Sequence, residues 1–262
     1  MIDELLRSEA LTVAFQPIIH LQSGTVFAHE VLGRVHPTPG SDPALGPAAL
    51  LDLAVDQGRL MDVEHRWRSI AIAAIARSRA PGLFFLNVDT RILDDPRFRP
   101  GTTSRLLEKY RLQRSRFVFE ITERDPALHA RRLSQLLGHY SAQGYGIALD
   151  DLGVGHSSLH VLVQLRPRII KLDRELCSGV SRDPMRLALV DSLLSFATRT
   201  NLCVVAEGIE ERDDLAELMK LGVQYGQGFL LGRPGAEPLG SSVRRLPLAR
   251  SDFPPPLSRE AG

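Results

Sequence analysis

The sequence predicts an α/β chain folded as a modified TIM (β/α)8 barrel with an antiparallel first strand. Short β-branched or apolar runs recur at 13–19, 25–31, 83–88, 117–122, 146–149, 169–172, 203–206 and 224–229. Segments of helical period lie between most of them, at 63–79, 103–111, 127–143, 184–200 and 211–221. Such alternation calls for parallel strands joined by crossover helices, and about eight units in roughly 240 residues suit a closed barrel better than an open sheet. The first connection, Leu21-Gln22-Ser23-Gly24, has the length of a hairpin turn and no room for a helix, so strands one and two must run antiparallel.

In chain order, residues 1–10 read as a helical lead-in and 11–240 as the barrel. Residues 241–262 read as a proline-rich tail, extended and mobile, containing Pro254-Pro255-Pro256 and little periodicity. Asp125-Pro126 and Asp183-Pro184 place a cap residue before a proline at two helix starts. Gly222 stands where the helix over 211–221 should stop. The helix over 184–200 presents Leu187, Val190, Leu194 and Ala197 at helical spacing, broadened by Leu193, which suits packing on the barrel. No internal repeat is visible.

Composition narrows the function. The chain has 262 residues, 44% of them hydrophobic, with 32 Lys plus Arg against 31 Asp plus Glu and a net charge of +1. No whole-molecule field invites a DNA or RNA polymer or an anionic membrane, so an anionic ligand would have to be caught locally. Cys177 and Cys203 fit no metal-binding spacing and read as small apolar residues of a reducing cytosol. The start, Met1-Ile2-Asp3-Glu4, carries acids where a signal peptide would be basic, and no apolar window approaches the ~18 residues of a membrane span, so a soluble cytoplasmic protein is expected. Among 8 histidines there is no His-Glu-x-x-His helix and no tight pair, which makes zinc a weak option.

The strongest functional signal is a series of acids and one amide where the strands end: Glu30, Asn87, Glu120, the pair Asp150-Asp151, and Glu207. In a barrel, the C-terminal ends of the strands form the functional face. Each acid alone reads equally as a surface carboxylate. Five converging at one rim need cations, because isolated buried charges are strongly unfavourable. A carboxylate and carbonyl set favours hard cations such as Mg2+ or Mn2+, with Asn87 supplying a neutral oxygen. Alternation puts Glu30 and Leu32 on one face of their strand and Val31 on the other, toward the helical layer. Asp150 and Asp151 cannot both point inward from a regular strand, so Asp151 is expected to begin the following loop. Lys171 is expected on the same rim, where it would orient a water or neutralise a phosphoryl oxygen, the bland alternative being an ion pair with Asp173 or a neighbouring acid. The loop from Asp151 through Gly153 and Gly155 to Leu159 matches neither a P-loop nor the dinucleotide fingerprint, and reads as a mobile site loop or a tight strand-to-helix turn.

Several ordered motifs together resemble the EAL-domain phosphodiesterases of bacterial cyclic di-GMP signalling. They are Phe15-Gln16-Pro17-Ile18, Glu30-Val31-Leu32-Gly33-Arg34, Asn87-Val88, Phe119-Glu120-Ile121-Thr122-Glu123, Leu149-Asp150-Asp151, Ile170-Lys171-Leu172-Asp173, Val205-Ala206-Glu207-Gly208-Ile209-Glu210 and Gln227-Gly228-Phe229. The resemblance implies a TIM barrel with a reversed first strand that hydrolyses cyclic di-GMP to linear pGpG with Mg2+ or Mn2+ in a two-metal site. It implies that Glu30, Asn87, Glu120 and Asp150 bind the first metal and that Asp150 and Asp151 serve the second. It implies that Glu207 is a general base or water-mediated metal partner and that Lys171 positions the attacking water. Glu123 resembles the acid anchoring the loop after Asp151, and Gln16, Arg34 and Gln227 match positions near the substrate. A homodimer through the helix over 184–200 is likewise implied.

The chain departs from the family pattern at Val31 within the naming triplet, and at Leu152 and Val154 in the loop after the paired aspartates. Val31 bears on packing, whereas Leu152 and Val154 bear on loop ordering. The leading expectation is a metal-dependent cyclic di-GMP phosphodiesterase. The rivals are a catalytically weak or inactive cyclic di-GMP receptor and a hydrolase of another phosphodiester. Receptors of that kind usually lose metal-site acids, and every motif acid stands here. No cyclase motif and no room for a sensor ahead of Leu11 are seen, so regulation is expected through assembly or an external partner.

Overall fold

A computed structural model of the chain describes residues 2–36, 45–98, 101–121, 130–153 and 158–239. Eight strands close a barrel in sequential order. They are β1 (Leu11–His20), β2 (Thr25–Val35), β3 (Leu83–Val88), β4 (Phe117–Ile121), β5 (Gly146–Leu152), β6 (Ile169–Leu172), β7 (Cys203–Ala206) and β8 (Tyr225–Gly226). β1 runs antiparallel to both neighbours, pairing Gln16 with Glu30 on β2 and Ile19 with Gly226 on β8. All other neighbours are parallel. The reversal follows from the turn after His20, where Gly24 takes φ +68 and its N–H donates to the His20 carbonyl at 2.9 Å.

The helices are α1 (Ile2–Arg7), α2 (Pro47–Asp56), α3 (Leu60–Ser78), α4 (Thr102–Lys109), α5 (Ala130–Ala142), α6 (Ser158–Leu165), α7 (Arg174–Cys177), α8 (Pro184–Thr200) and α9 (Arg212–Lys220). The Asp183 carboxylate caps α8 by accepting from the N–H of Met185 and of Arg186, with Pro184 in the first turn. Gly222, at φ +92, follows the end of α9. The periodicity does not single out α2 or α6, because both are short and follow stretches rich in glycine, proline and serine.

Two further expectations change. The strand expected over 224–229 is only Tyr225–Gly226, because the chain folds over Ile209: Ile209 N–H donates to the Gln227 carbonyl and Leu230 N–H to the Ile209 carbonyl, both at 3.1 Å. A side chain at Gly228 would collide with the Ile209 backbone, so this crossing requires glycine. Asp151 does not begin a loop: β5 continues to Leu152, which pairs with Leu172 across a register shift, and Asp151 takes φ +55 within that irregularity. Thr122, Glu123, Asp125-Pro126, Val154 and the tail 241–262 lie outside the described residues.

One apolar layer fills the barrel, made of Ile18, Ala28, Phe85, Val118, Ala148, Ile169 and Val205. The opposite strand faces pack on the helices. Val31 belongs there, in the cluster with Phe15, Leu60, Ile72 and Phe84, so it faces the helices and not the barrel interior. Leu152 is also buried in an outer cluster, with Val161, Leu172 and Leu176. Trp67 on α3 lies so close to β2 that a side chain at Gly33 would meet its indole at 2.8 Å. Cys177 is buried and Cys203 half-buried; burial pushes the two thiols up to about 12 and about 11, which keeps both protonated. Among the described residues, no helix is long and apolar enough to cross a membrane.

His29, on the outer face of β2, is fully buried and stacked on Phe84 at 5.8 Å. Its Nε2 accepts the Leu239 N–H at 3.0 Å, which ties the segment after β8 to the barrel and leaves the imidazole proton on Nδ1. Burial lowers its pKa to about 4.

Two outcomes are expected. Val31→Ala should lower the unfolding free energy in urea by about 2 kcal/mol through the cavity it leaves. An unchanged midpoint would place Val31 outside the packed layer. The native state disfavours His29 protonation while the unfolded chain does not, so this contribution is complete above pH ~6.5 and is lost as pH falls toward ~4. Between pH 7 and pH 5 the loss should be about 2 kcal/mol, and His29→Gln should abolish that portion of the acid sensitivity.

Candidate metal centre

Side chains of a strand alternate between its faces, so the residue two places beyond an inward-facing one also points inward. Along the parallel strands the apolar layer Ala28, Phe85, Val118, Ala148, Ile169 and Val205 is therefore topped by Glu30, Asn87, Glu120, Asp150, Lys171 and Glu207. On the reversed β1, Gln16 precedes Ile18 and joins the same layer, and Gln227 enters it from the end of β8.

Lys171 was expected on the rim, but it stands at the centre, 1% exposed. Its Nζ lies 2.6 Å from Glu207 Oε1, 2.7 Å from Glu120 Oε1, 3.2 Å from Glu30 Oε2 and 3.2 Å from Asp150 Oδ1. Asp173 instead caps α7, accepting the Glu175 N–H. Gln227 Nε2 donates to Glu30 Oε2 at 2.6 Å and to Gln16 Oε1 at 3.1 Å, while Asn87 Nδ2 donates to Glu30 Oε1 at 3.2 Å. Oxygen atoms of Asp150, Asp151 and Glu207 lie within 4.8 Å of one another. The left-handed turn at Asp151 is what brings two consecutive carboxylates to one side.

One ammonium thus faces the carboxylates of Glu30, Glu120, Asp150 and Glu207, with Asp151 close by. An ammonium has three hydrogens, too few to satisfy four carboxylates. Lys171 sits at ion-pair distance from Glu120 Oε1 and Asp150 Oδ1, yet neither oxygen gains an aligned hydrogen bond among the described residues, and Glu120 Oε2 has no such partner either. Burial drives the Glu120 carboxyl well above the usual range, and the charges of Glu30 and Asp150 add to this against the opposing pull of Lys171. Burial also raises Asp150, and raises Glu207 to about 8. Glu30 goes the other way: burial opposes its charge, but Lys171 and the hydrogen bonds from Gln227 and Asn87 prevail. Lys171 is desolvated too, yet the surrounding acids hold its pKa well above normal.

The donor set fits a hard divalent cation. Among the described residues it is all oxygen, contains no His or Cys, and gathers more buried carboxyls than the one ammonium of Lys171 can keep ionised. Gln16, Glu30, Asp150, Asp151, Lys171, Glu207 and Gln227 line an open cavity of about 300 Å³. A larger hollow of about 460 Å³ lies at the other end of the barrel among Phe27, Arg168, Cys203 and Tyr225, and no carboxylate among the described residues lines it.

The structure therefore gathers every residue singled out from the sequence except two. Arg34 turns its Nη1 to the Gly33 carbonyl at 2.9 Å and does not line the cavity. Glu123 is outside the described residues. Sequence reasoning gave no role to Arg174 and Glu210, which pair at 3.3 Å at the cavity mouth, or to Phe229, whose ring carries the Arg233 guanidinium at 4.2 Å. It also passed over the buried pair Glu64 and Arg68 on α3, whose spacing of four residues on one helix face was the available signal.

An eight-stranded closed barrel with a reversed first strand, whose rim gathers carboxylates that could hold a metal ion, is the class of domain seen here. The chain belongs to the EAL domain family, whose profile matches residues 1–234. It is 31% identical over 246 residues to the probable cyclic di-GMP phosphodiesterase PdeN of Escherichia coli, covering 92% of this chain and 46% of that protein. It is 37% identical over 257 residues to MucR of Pseudomonas aeruginosa, a bifunctional diguanylate cyclase/cyclic di-GMP phosphodiesterase, covering 92% of this chain and 35% of MucR. Among solved structures, the PaMucR phosphodiesterase in complex with c-di-GMP superimposes with a TM-score of 0.75 at 27% identity, covering 87% of this chain and 97% of that one. The chain spans less than half the length of these curated relatives.

A cation that neutralises this rim should stabilise the fold. At a free concentration 100 times its dissociation constant, Mn2+ should add about 2.7 kcal/mol, a rise in thermal midpoint of roughly 5–10 °C for a domain of this size. A chelator should reverse it, and Asp150→Asn should remove most of it. An equal shift in Asp150→Asn would place the cation elsewhere.

Proposed function

We propose that this EAL domain is a metal-dependent phosphodiesterase that hydrolyses cyclic di-GMP to linear pGpG. The observation that carries this reading is the buried rim in which, among the described residues, Lys171 is the one cation facing four carboxylates and Glu120 Oε2 has no hydrogen-bond partner. The activities named for PdeN and MucR supply the substrate class.

In this reading Glu30, Asn87, Glu120 and Asp150 hold one divalent cation, Mg2+ or Mn2+, and Asp150 and Asp151 hold a second. Two such cations supply Lewis acidity to the attacking water and to the oxygens of the scissile phosphate. Lys171 orients the water and limits repulsion among the acids. Glu207, whose Oε1 lies 2.6 Å from Lys171 Nζ beside Asp150, takes the proton from that water. Attack at phosphorus breaks one P–O3′ bond, the released O3′ gains a proton from solvent, and pGpG results. Gln16 and Gln227 keep Glu30 in register and border the substrate. Arg34 reaches a phosphate only after leaving the Gly33 carbonyl, which suits a contact made on binding. Glu123 is proposed to anchor the loop after Asp151.

The outward faces of Val31 and Leu152 support activity over a receptor role, since neither departure from the family pattern intrudes on the acids. A homodimer is proposed through α8, where Met185, Leu189 and Phe196 are 78%, 45% and 39% exposed along one side. Regulation would then act through that assembly or an external partner.

The test is incubation of the purified chain with cyclic di-GMP and Mn2+ or Mg2+, with a chelator control and chromatography of products. Metal-dependent pGpG is expected. Glu30→Ala and Asp150→Ala should abolish it, while Glu207→Gln should keep nucleotide binding and lower turnover by roughly 10²–10⁴. Tight binding without product would identify a receptor, and faster cleavage of another phosphodiester would replace the substrate.

A further inference from the structure

We infer that Glu64 and Arg68 on α3 are positioning residues for Asn87, setting the cation affinity of the centre without touching it. This rests on the metal-dependent reading above. The two side chains, each 10% exposed, pair at 2.8 Å. Burying two charges is expensive, and a helix packed on a barrel does as well or better with apolar residues there. The pair has a more specific task. Glu64 Oε1 accepts the Asp89 N–H and Arg68 Nη2 donates to the Asn87 carbonyl, both at 3.4 Å. The backbone is thus gripped on both sides of Val88, immediately after the ligand-bearing Asn87.

The grip is itself oriented. The Arg68 guanidinium lies over the Phe119 ring at 5.6 Å, on the outer face of β4. Beyond the grip, the Asp89 carboxylate accepts the Arg91 N–H at 3.0 Å and pairs with its guanidinium at 2.6 Å, which fixes the chain as it leaves β3. Inward of the grip, Asn87 Nδ2 donates to Glu30 Oε1 at 3.2 Å. A continuous path therefore runs from α3 through the backbone of 87–89 to the Asn87 amide and Glu30. Each 3.4 Å contact is long and weak alone. Their effect comes from acting together on one short segment, where outer partners govern how ligands are presented.

The experiment is Mn2+ titration of the full chain, following the free-ion signal by electron paramagnetic resonance, with thermal midpoints of the metal-free proteins in parallel. Arg68→Met should raise the Mn2+ dissociation constant by roughly 10–100-fold, and Arg68→Lys should recover part of the loss. The double variant Glu64→Gln/Arg68→Met leaves no unpaired buried charge, so its midpoint should return toward that of the unaltered protein while Mn2+ binding stays weak. Affinity that recovers together with the midpoint would reduce the pair to a structural staple and overturn the inference. Unchanged Mn2+ affinity in all variants would overturn it alone. Failure of the unaltered chain to bind Mn2+, with Glu30→Ala making no difference, would overturn the metal reading and this inference together.

Discussion

The structure depends on one ammonium. Barrel closure drives Glu30, Glu120, Asp150 and Glu207 into a space that a single side chain can span, and Lys171 is, among the described residues, the one buried cation touching all four. Its long stem rises from the apolar layer at Ile169, two residues below on the same face. Without that charge, the fold would have to protonate most of the rim or leave it uncompensated. With it, compensation remains partial, which is the state a cation-binding centre requires.

The period of two along each strand makes this arrangement inexpensive to build. The same inward face that packs Ala28, Phe85, Val118, Ala148 and Val205 presents the oxygen ligands one layer higher. The apolar floor excludes water from below and keeps the effective dielectric low around the acids. It raises Glu120 and Glu207 for the same reason that it holds the barrel closed. Stability and site electrostatics are two consequences of one packing layer.

The two departures from the family pattern that the structure describes, Val31 and Leu152, fall on the other side of the wall. Val31 and Leu152 point into the helical layer, so they change how strands seat against helices. Gly33 and Trp67 show how tight that seating is. The buried pair on α3 uses the same layer to hold the end of β3. The helices therefore do more than cover the barrel, because they determine where the strand ends lie and hence where the ligands point.

Much was legible from the residues alone. Strand and helix alternation, the short turn at Gly24, the Asp183-Pro184 cap and the order of Glu30, Asn87, Glu120, Asp150 and Glu207 determined the fold class and the membership of the rim, since these are local signals of period and turn chemistry. Lys171 was legible as a participant but not as the centre of the ring. Its four partners come from three other strands and from the residue just past β7, and sequence separation hides such distances. The left-handed Asp151, the early end of β8 at Gly226 and the grip of Arg68 on Asn87 were decided by tertiary structure. Each arises where the closed sheet or a packed helix overrides the local preference of the chain, and closure is a property of all eight strands at once.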